Sequence, residues 1–512
     1  MKKLLEITNS FDTGDTGLRW AIFIGLWCAM LAAVVNIRSI SNDNVPNVLI
    51  PASLLCEGNL ELGEFRPLKD GYQSTECYWA VETKQGLFSR YPIWAGVAAT
   101  PIFAPFVVAA ELFNLDSSIM EEKALLRIGR LATLIFTAVF AGTMAWTLRR
   151  FMPGSWAALL TVFAVLGTTL WHNAFSQLSN QTVPVTAVML LLAILSLPEM
   201  TQRRALAAGV LAGLVVASRP PAVFVAALPL GLFISRAPWR RYLPVVVAAG
   251  LLFPGLTLLY NAHAFGAPLT TGYGGEASER FEAPMLEGLI GLMLSPTCGL
   301  LVYSSFLLLG FALRLRLRPD NAPTPEANEL ARWIILGVIA QWLLMSKWWA
   351  WNGALTYGGA RMMAETVPGL VLLIALQWPT PNSSTLHKRG LRAAPGALLI
   401  TGAFSVLLYL VGTVAYDAIA PTNPDKLNWD IRQDFIVLYL HSFGTGSLLV
   451  GTLKHGAMLL GTFLIGGYLV SRFLTVQHTQ FDDDPYNPSH EKQKNGQEPW
   501  TESCSKSYTR VR

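Results

Sequence analysis

The sequence predicts an all-α polytopic membrane protein, and three observations carry that expectation. Hydrophobic residues make up 52% of the 512-residue chain and charged residues only 14%, with a mean hydropathy of +0.41, whereas a soluble fold carries roughly 25% charged residues. Apolar runs of about twenty residues, the length that crosses a bilayer as a helix, recur from Trp20 to Leu474. The alternating pattern of a membrane β-strand is missing, so backbone amides in hydrocarbon can be satisfied only within helices. The expected architecture is a bundle of about a dozen spans bathed in membrane lipid.

Residues 1–19 are polar, and Trp20–Ile37 lacks a small-residue cleavage site, so the first run reads as a retained span behind a cytoplasmic N-terminus. Residues 39–113 come next as an extracytoplasmic loop with juxtamembrane elements. Basic clusters punctuate the rest: Lys2 and Lys3, Arg149 and Arg150, Arg203 and Arg204, Arg236 with Arg240 and Arg241, Arg314 to Arg318, and Lys388 to Arg392. The positive-inside bias assigns them to the cytoplasm. That ruler makes Leu131–Leu148 descend, Trp156–His172 ascend and Val183–Leu197 descend. It needs Ala205–Ile234 to be a hairpin broken at Arg219-Pro220-Pro221 before Tyr242–Tyr260 ascends. Runs near Leu300, Trp333, Val367, Ala397 and Gly456 complete the alternation and the membrane domain, 20–475.

Tyr91–Phe113 is long enough to cross, yet a crossing there inverts everything downstream. Pro101 and Pro105 lack the amides a helix interior needs, so a bent juxtamembrane or re-entrant element is expected instead. The alternative makes Tyr91–Phe113 a true span and Ala205–Ile234 a single long one. Residues 476–512 are polar, include Asp482 to Asp484, and are expected to form a disordered cytoplasmic tail. In the outer loop, Cys56 and Cys77 form a disulfide if they face an oxidising compartment, or remain free thiols. The modest net charge of +5 is spent on orientation, and no nucleic-acid partner is expected.

Polar side chains able to do chemistry concentrate in the outer segments. Asp43, in Ser41-Asn42-Asp43-Asn44, comes after the first span; partly desolvated at the interface, its carboxyl is expected to have a raised pKa and so to take a proton from a hydroxyl or hold a divalent cation beside a phosphate, or it can simply cap the next helix. His172 and Asn173 lie in the next outer segment, as a base or ligand or as interfacial residues beside Trp171. Lys347-Trp348-Trp349-Ala350-Trp351 reads as an aromatic belt. Beyond it, Arg361 begins an apolar run on the outer side, where a Gly-Gly turn lets it approach an anion; a salt bridge to Glu365 is the alternative. Arg219 sits where the predicted hairpin turns, either at membrane depth and functional or as an ordinary loop cation. Tyr260 and His263 can contact a sugar or anchor the interface, and the Gly-rich loop Gly266–Glu287 carries only a weak signal. No nucleotide-binding glycine motif occurs.

Several of these features together resemble the GT-C membrane glycosyltransferases: a first span followed by Asp43, then Arg90-Tyr91-Pro92, then an Arg130-Leu131 start and an Arg149-Arg150 stop. The likeness is to the lipid A aminoarabinose transferases and protein O-mannosyltransferases. Tyr357-Gly358-x-x-Arg361 and Ser295-Pro296-x-x-Gly299-Leu300 resemble uncharacterised GT-C-like bacterial proteins. The resemblance implies a polyprenyl-phosphate sugar donor, an active site at the extracytoplasmic face of a bacterial inner membrane, and Asp43 as the catalytic residue. It places Arg90, Tyr91 and Tyr357 with Arg219 and Arg361 at the substrate and its phosphate. The second acid that many such enzymes carry is missing from the His172–Asn180 segment, which leaves a metal undecided. The expected function is sugar transfer to a lipid, glycan or protein acceptor. Rivals are a secondary transporter or lipid-linked-sugar flippase, against which the lack of two related halves argues, and an inert scaffold.

Overall fold

The computed structural model describes residues 14–34, 42–71, 78–113, 121–275, 279–316, 324–353, 359–378, 393–416 and 435–482. The chain divides into two compact units, Met1–Phe463 and Leu464–Arg512, and the first contains the helix bundle. Helix dominates, and the one sheet among the described residues is an antiparallel hairpin, Ala80–Thr83 with Gly86–Ser89. Six helices among the described residues are long and apolar enough to cross a membrane, joined by several shorter apolar ones.

Close contacts at small residues fix how the helices run. Helix α1 (Gly14–Ala33) lies antiparallel to α2 (Glu122–Leu148). A Cβ on Gly25 would fall 2.3 Å from Ala138 O, Gly17 abuts Arg149, and Arg130 reaches Ala32 O at 2.9 Å. One end of the bundle therefore gathers Gly17 and Arg149, and the other gathers Ala32 and Arg130. Helix α3 (Thr182–Leu195) starts at the second end and finishes at the first, where Arg150 donates to Ser196. Helix α4 (Gln202–Ser218) then starts at the basic end, its first turn capped by Thr201 Oγ1 accepting from Arg204 N.

The predicted break is where the sequence puts it. α4 ends at Ser218, and Pro220 and Pro221 open a 3-10 turn, since proline can supply no amide to a continuing helix. The next long helix, α5 (Ala237–Phe265), packs on α4 with Gly209 facing Val246 and Gly213 facing Gly250. That register is parallel, so the intervening Pro220–Ser235 must run back, and residues 202–235 form a hairpin with Arg219 at its tip. Helix α6 (Pro325–Ser346) starts beside Arg236, which meets Glu329 at 2.8 Å, and climbs along the returning arm. Its Trp333 packs at Gly231 and its Gly337 at Phe224.

Trp94–Leu112 (α7) departs from expectation: it is a continuous helix with Pro101 and Pro105 inside it, not an element broken at the prolines, and it is one of the six long and apolar enough to cross a membrane. Helices tolerate such prolines where neighbours compensate. Its first turn belongs to the non-basic end, with Trp94 Nε1 donating to Thr257 Oγ1 at 2.7 Å. Ala99, Phe103, Val107 and Ala110 on it share one apolar cluster with Val48, Leu49 and the first turns of α2, Leu125, Ile128 and Ala132. Its other face exposes Phe106, Val108 and Leu112. Cys77 lies outside the described residues, as does most of the tail.

Candidate active site

At the non-basic end, segments distant in sequence bring two carboxylates and two guanidinium groups together. Asp43 sits in a single 3-10 turn, Asn42–Asn44. The turn is braced from behind: Asn180 Nδ2 donates to Asp43 O at 2.9 Å, Asn180 N to Asn44 Oδ1 at 3.3 Å, and Asn47 Nδ2 to Asn180 Oδ1 at 3.1 Å. Asp43 is no helix cap. Its carboxylate accepts from Tyr91 Oη at 2.8 Å through one oxygen and from Arg361 Nη2 through the other.

Arg361 opens the 3-10 turn Arg361–Thr366. The glycine two residues earlier is required: Gly359 has φ 72°, and a Cβ there would lie 2.7 Å from Tyr409 Oη. Gln181 Nε2 secures the turn by donating to Arg361 O at 2.7 Å. Among the described residues the Arg361 guanidinium spends one nitrogen, Nη2, on Asp43 and leaves the rest of its fork unused. Arg219 is paired with the second carboxylate. Its Nε lies 2.6 Å from Glu365 Oε1 but out of line for a hydrogen bond, and its hydrogen bond among the described residues is Nη2 to Met362 Sδ at 3.4 Å. The sequence alternative pairing Arg361 with Glu365 is thus corrected: Arg361 takes Asp43, and Glu365 takes Arg219.

The electrostatics follow from that geometry. Burial pushes the Asp43 carboxyl up, as the sequence leads one to expect, but the Arg361 charge, the Tyr91 and Arg361 hydrogen bonds and Arg219 outweigh it and hold it below 3.8, which reverses the expected raised value. Burial first, then the Asp43 charge, pushes the Tyr91 phenol far up, so it stays a donor. Glu365 is fully buried, and burial raises it above the usual carboxylate range against the pull of Arg219.

Sequence reasoning missed Tyr273. Its ring meets Tyr91 edge-on at 5.5 Å, and Arg90 lies over both Tyr78 and Tyr273 at 5.8 Å. Burial, then Asp43, pushes its phenol up to about 12, with Arg219, Arg361 and Arg90 also acting on it. Gly272 explains the docking, because a Cβ there would fall 2.5 Å from Arg90 O. The signal is the Thr271-Gly272-Tyr273-Gly274-Gly275 run, whose glycines make it look merely mobile on sequence alone. Arg130, which the sequence marks only as the start of a span, donates to the carbonyls of Ala32, Phe175 and Ser176 and so ties its own helix to two other segments at the non-basic end.

The other candidates have other neighbours. His172 is buried, with Nε2 at 2.9 Å from Thr413 Oγ1 and 3.2 Å from Tyr409 O, and burial lowers it to about 4. Asn173 Nδ2 donates to Thr169. Tyr260 and His263 pack against Phe88 at 6.2 and 5.9 Å. Tyr357 lies outside the described residues. No three metal-ligating side chains gather among the described residues, and both site carboxylates face guanidinium groups, which supply the charge that a cation would bring.

No family model matches the chain, and no curated protein matches it. Two solved structures are similar to it. ArnT from Cupriavidus metallidurans bound to undecaprenyl phosphate is 14% identical with a TM-score of 0.45, over 89% of this chain and 76% of that one. The same protein in the apo state is 15% identical with a TM-score of 0.42, over 88% of this chain and 76% of that one.

Proposed function

We propose that the protein transfers a sugar from a polyprenyl-phosphate-linked donor to a lipid, glycan or protein acceptor at the extracytoplasmic face of a bacterial inner membrane. The observation that carries this reading is the pair of under-used guanidinium groups, Arg361 and Arg219, beside the Asp43 carboxylate. Bidentate guanidinium donors match a phosphate, and a carboxylate held ionised matches a base.

In the chemistry this supports, the donor phosphate competes with Asp43 for Arg361 and frees the carboxylate as it arrives. Asp43 then takes the proton of the acceptor hydroxyl, and the hydroxyl oxygen attacks the anomeric carbon from the side opposite the phosphate. The bond from that carbon to the phosphate oxygen breaks, and its electron pair stays on the phosphate, where Arg361 and Arg219 stabilise the developing charge. The configuration at the anomeric carbon inverts. The tail needs no polar partner and lies among apolar helices, which accounts for a large membrane-embedded body around a small polar site.

The test is transfer from labelled polyprenyl-phosphate sugars in membranes holding wild type or Asp43→Asn. Loss of a general base lowers turnover by about 10²–10⁴-fold; equal turnover removes Asp43 from the mechanism. Uptake of the sugar into sealed vesicles, without transfer, would replace the enzyme by a transporter.

A further inference from the structure

Each arginine at this site has its own carboxylate, and the two carboxylates are not equivalent. Asp43 is reachable, hydrogen-bonded to Tyr91 and Arg361, and is the group the chemistry uses. Glu365 is fully buried, and its Oε2 has no partner among the described residues. Ionised carboxylates are not buried this way without a reason, because desolvation is recovered only through a close opposite charge. The charge in contact is Arg219, at 2.6 Å. Arg219 also stands near enough to Asp43 to lower it. Left alone, Arg219 would be drawn to Asp43 as Arg361 is.

We propose that Glu365 is a positioning residue that holds Arg219 back from Asp43, so that one arginine rests on the base while the other waits for the donor phosphate. This deepens the transfer reading and rests on it. The site then has a fixed order of exchange. An incoming phosphodiester takes the unused donors of both guanidinium groups, Arg361 releases Asp43, and Glu365 keeps its hold on Arg219 so that the phosphate is bound without being trapped.

Few ionisable groups face Glu365. Its own turn supplies Arg361, and the tip of the 202–235 hairpin supplies Arg219. Asp43, Tyr91 and Tyr273 complete the polar group beyond them. The short helix Leu170–Asn173 packs on the turn and carries His172, whose imidazole is held down to about 4 by burial. The other elements packed there, Thr182–Leu195, Val367–Leu376 and the site-end half of Pro325–Ser346, contain no ionisable side chain. Titration of Glu365 therefore acts on Arg219 before anything else, and burial brings it above the usual carboxylate range. Acidification that protonates Glu365 releases Arg219, as Glu365→Gln does.

The experiment measures binding of a polyprenyl-phosphate sugar, a phosphodiester whose own charge is constant over the range, to the full-length chain by tryptophan fluorescence from alkaline to mildly acidic pH. Transfer turnover is followed in the same samples. Glu365→Gln should bind roughly tenfold more tightly, the scale of one lost countercharge, and turn over more slowly because Arg219 retains the phosphate product. Wild-type affinity should rise as pH falls until it meets that of Glu365→Gln, whose own affinity stays flat. Glu365→Asp should restore the wild-type slope. Should Glu365→Gln fail to fold, the double variant Glu365→Gln with Arg219→Met removes both charges and should bind weakly with no pH dependence. Weaker binding in Glu365→Gln alone, or a pH slope that persists in either variant, overturns the proposal. A wild type that binds but never transfers would instead refute the transfer reading while leaving the pH comparison intact.

Discussion

Asp43 owes its position to asparagines and its ionisation to Arg361, so its ion pair must contribute to stability in a definite pH window. Its folded value lies below the ordinary 3.8, so the contribution is present above about 3.8, where the unfolded carboxyl is also ionised. It is lost as pH falls through the lower folded value. The purified protein should therefore show a thermal midpoint that drops below about pH 3.8, and the Asp43→Asn variant should start lower at neutral pH and lose less on acidification. Parallel curves for the two proteins would mean that the Asp43–Arg361 pair contributes nothing. At this scale the sequence was partly legible. Asp43, Arg219 and Arg361 were readable because a charge beside an apolar run is costly unless used. His172 and Asn173 looked equally suitable, and their neighbours, Thr413 and Thr169, could not be read from the sequence. No sequence pattern foretells which carboxylate meets which guanidinium, because Asp43 and Arg361 are separated by 318 positions.

Helices meet here through small residues, as expected where lipid gives no hydrophobic drive for association and close backbone packing must supply it. The α4–α5 contact is one such case: a Cβ on Gly213 would sit 2.4 Å from Gly250 O, and the obstruction is backbone. Gly213→Leu should therefore cost about 1–3 kcal/mol of overpacking and lower the thermal midpoint in detergent, while Gly255→Leu, which meets nothing within 4 Å, should leave it unchanged. Equal midpoints would show that the two helices can part without penalty. The reversal within 202–235 was legible at this scale because a proline pair is a strong local signal, and the chain turns at it. The continuity of Trp94–Leu112 was not. Proline removes one hydrogen bond wherever it stands, but whether the helix then breaks depends on what packs beside it, and Val48, Leu49 and Ile128 lie outside the local sequence.

The molecule as a whole has two unlike ends, and that polarity is what the proposed function needs. Arg149, Arg150, Arg203 and Arg204 mark one end, with Arg150 linked to Ser196 and Arg204 bonded to Glu199 O. Asp43, Tyr91, Arg219, Arg361 and Glu365 gather at the other. If the basic end is cytoplasmic, as the positive-inside bias requires, every group of the site faces the opposite compartment and a donor must reach it there. Helix Trp94–Leu112 keeps its packed face on the site-end cluster and exposes Phe106, Val108 and Leu112. Single cysteines placed at exposed Gly275 and at exposed Arg203, in a background freed of Cys56, Cys77 and Cys504, separate the possibilities. A membrane-impermeant maleimide added to intact cells should label the Gly275→Cys protein and spare Arg203→Cys, with the reverse in inverted vesicles. Labelling of both from one side would break the two-ended arrangement, and a clean reversal would put the site in the cytoplasm, where an extracytoplasmic acceptor could not meet it.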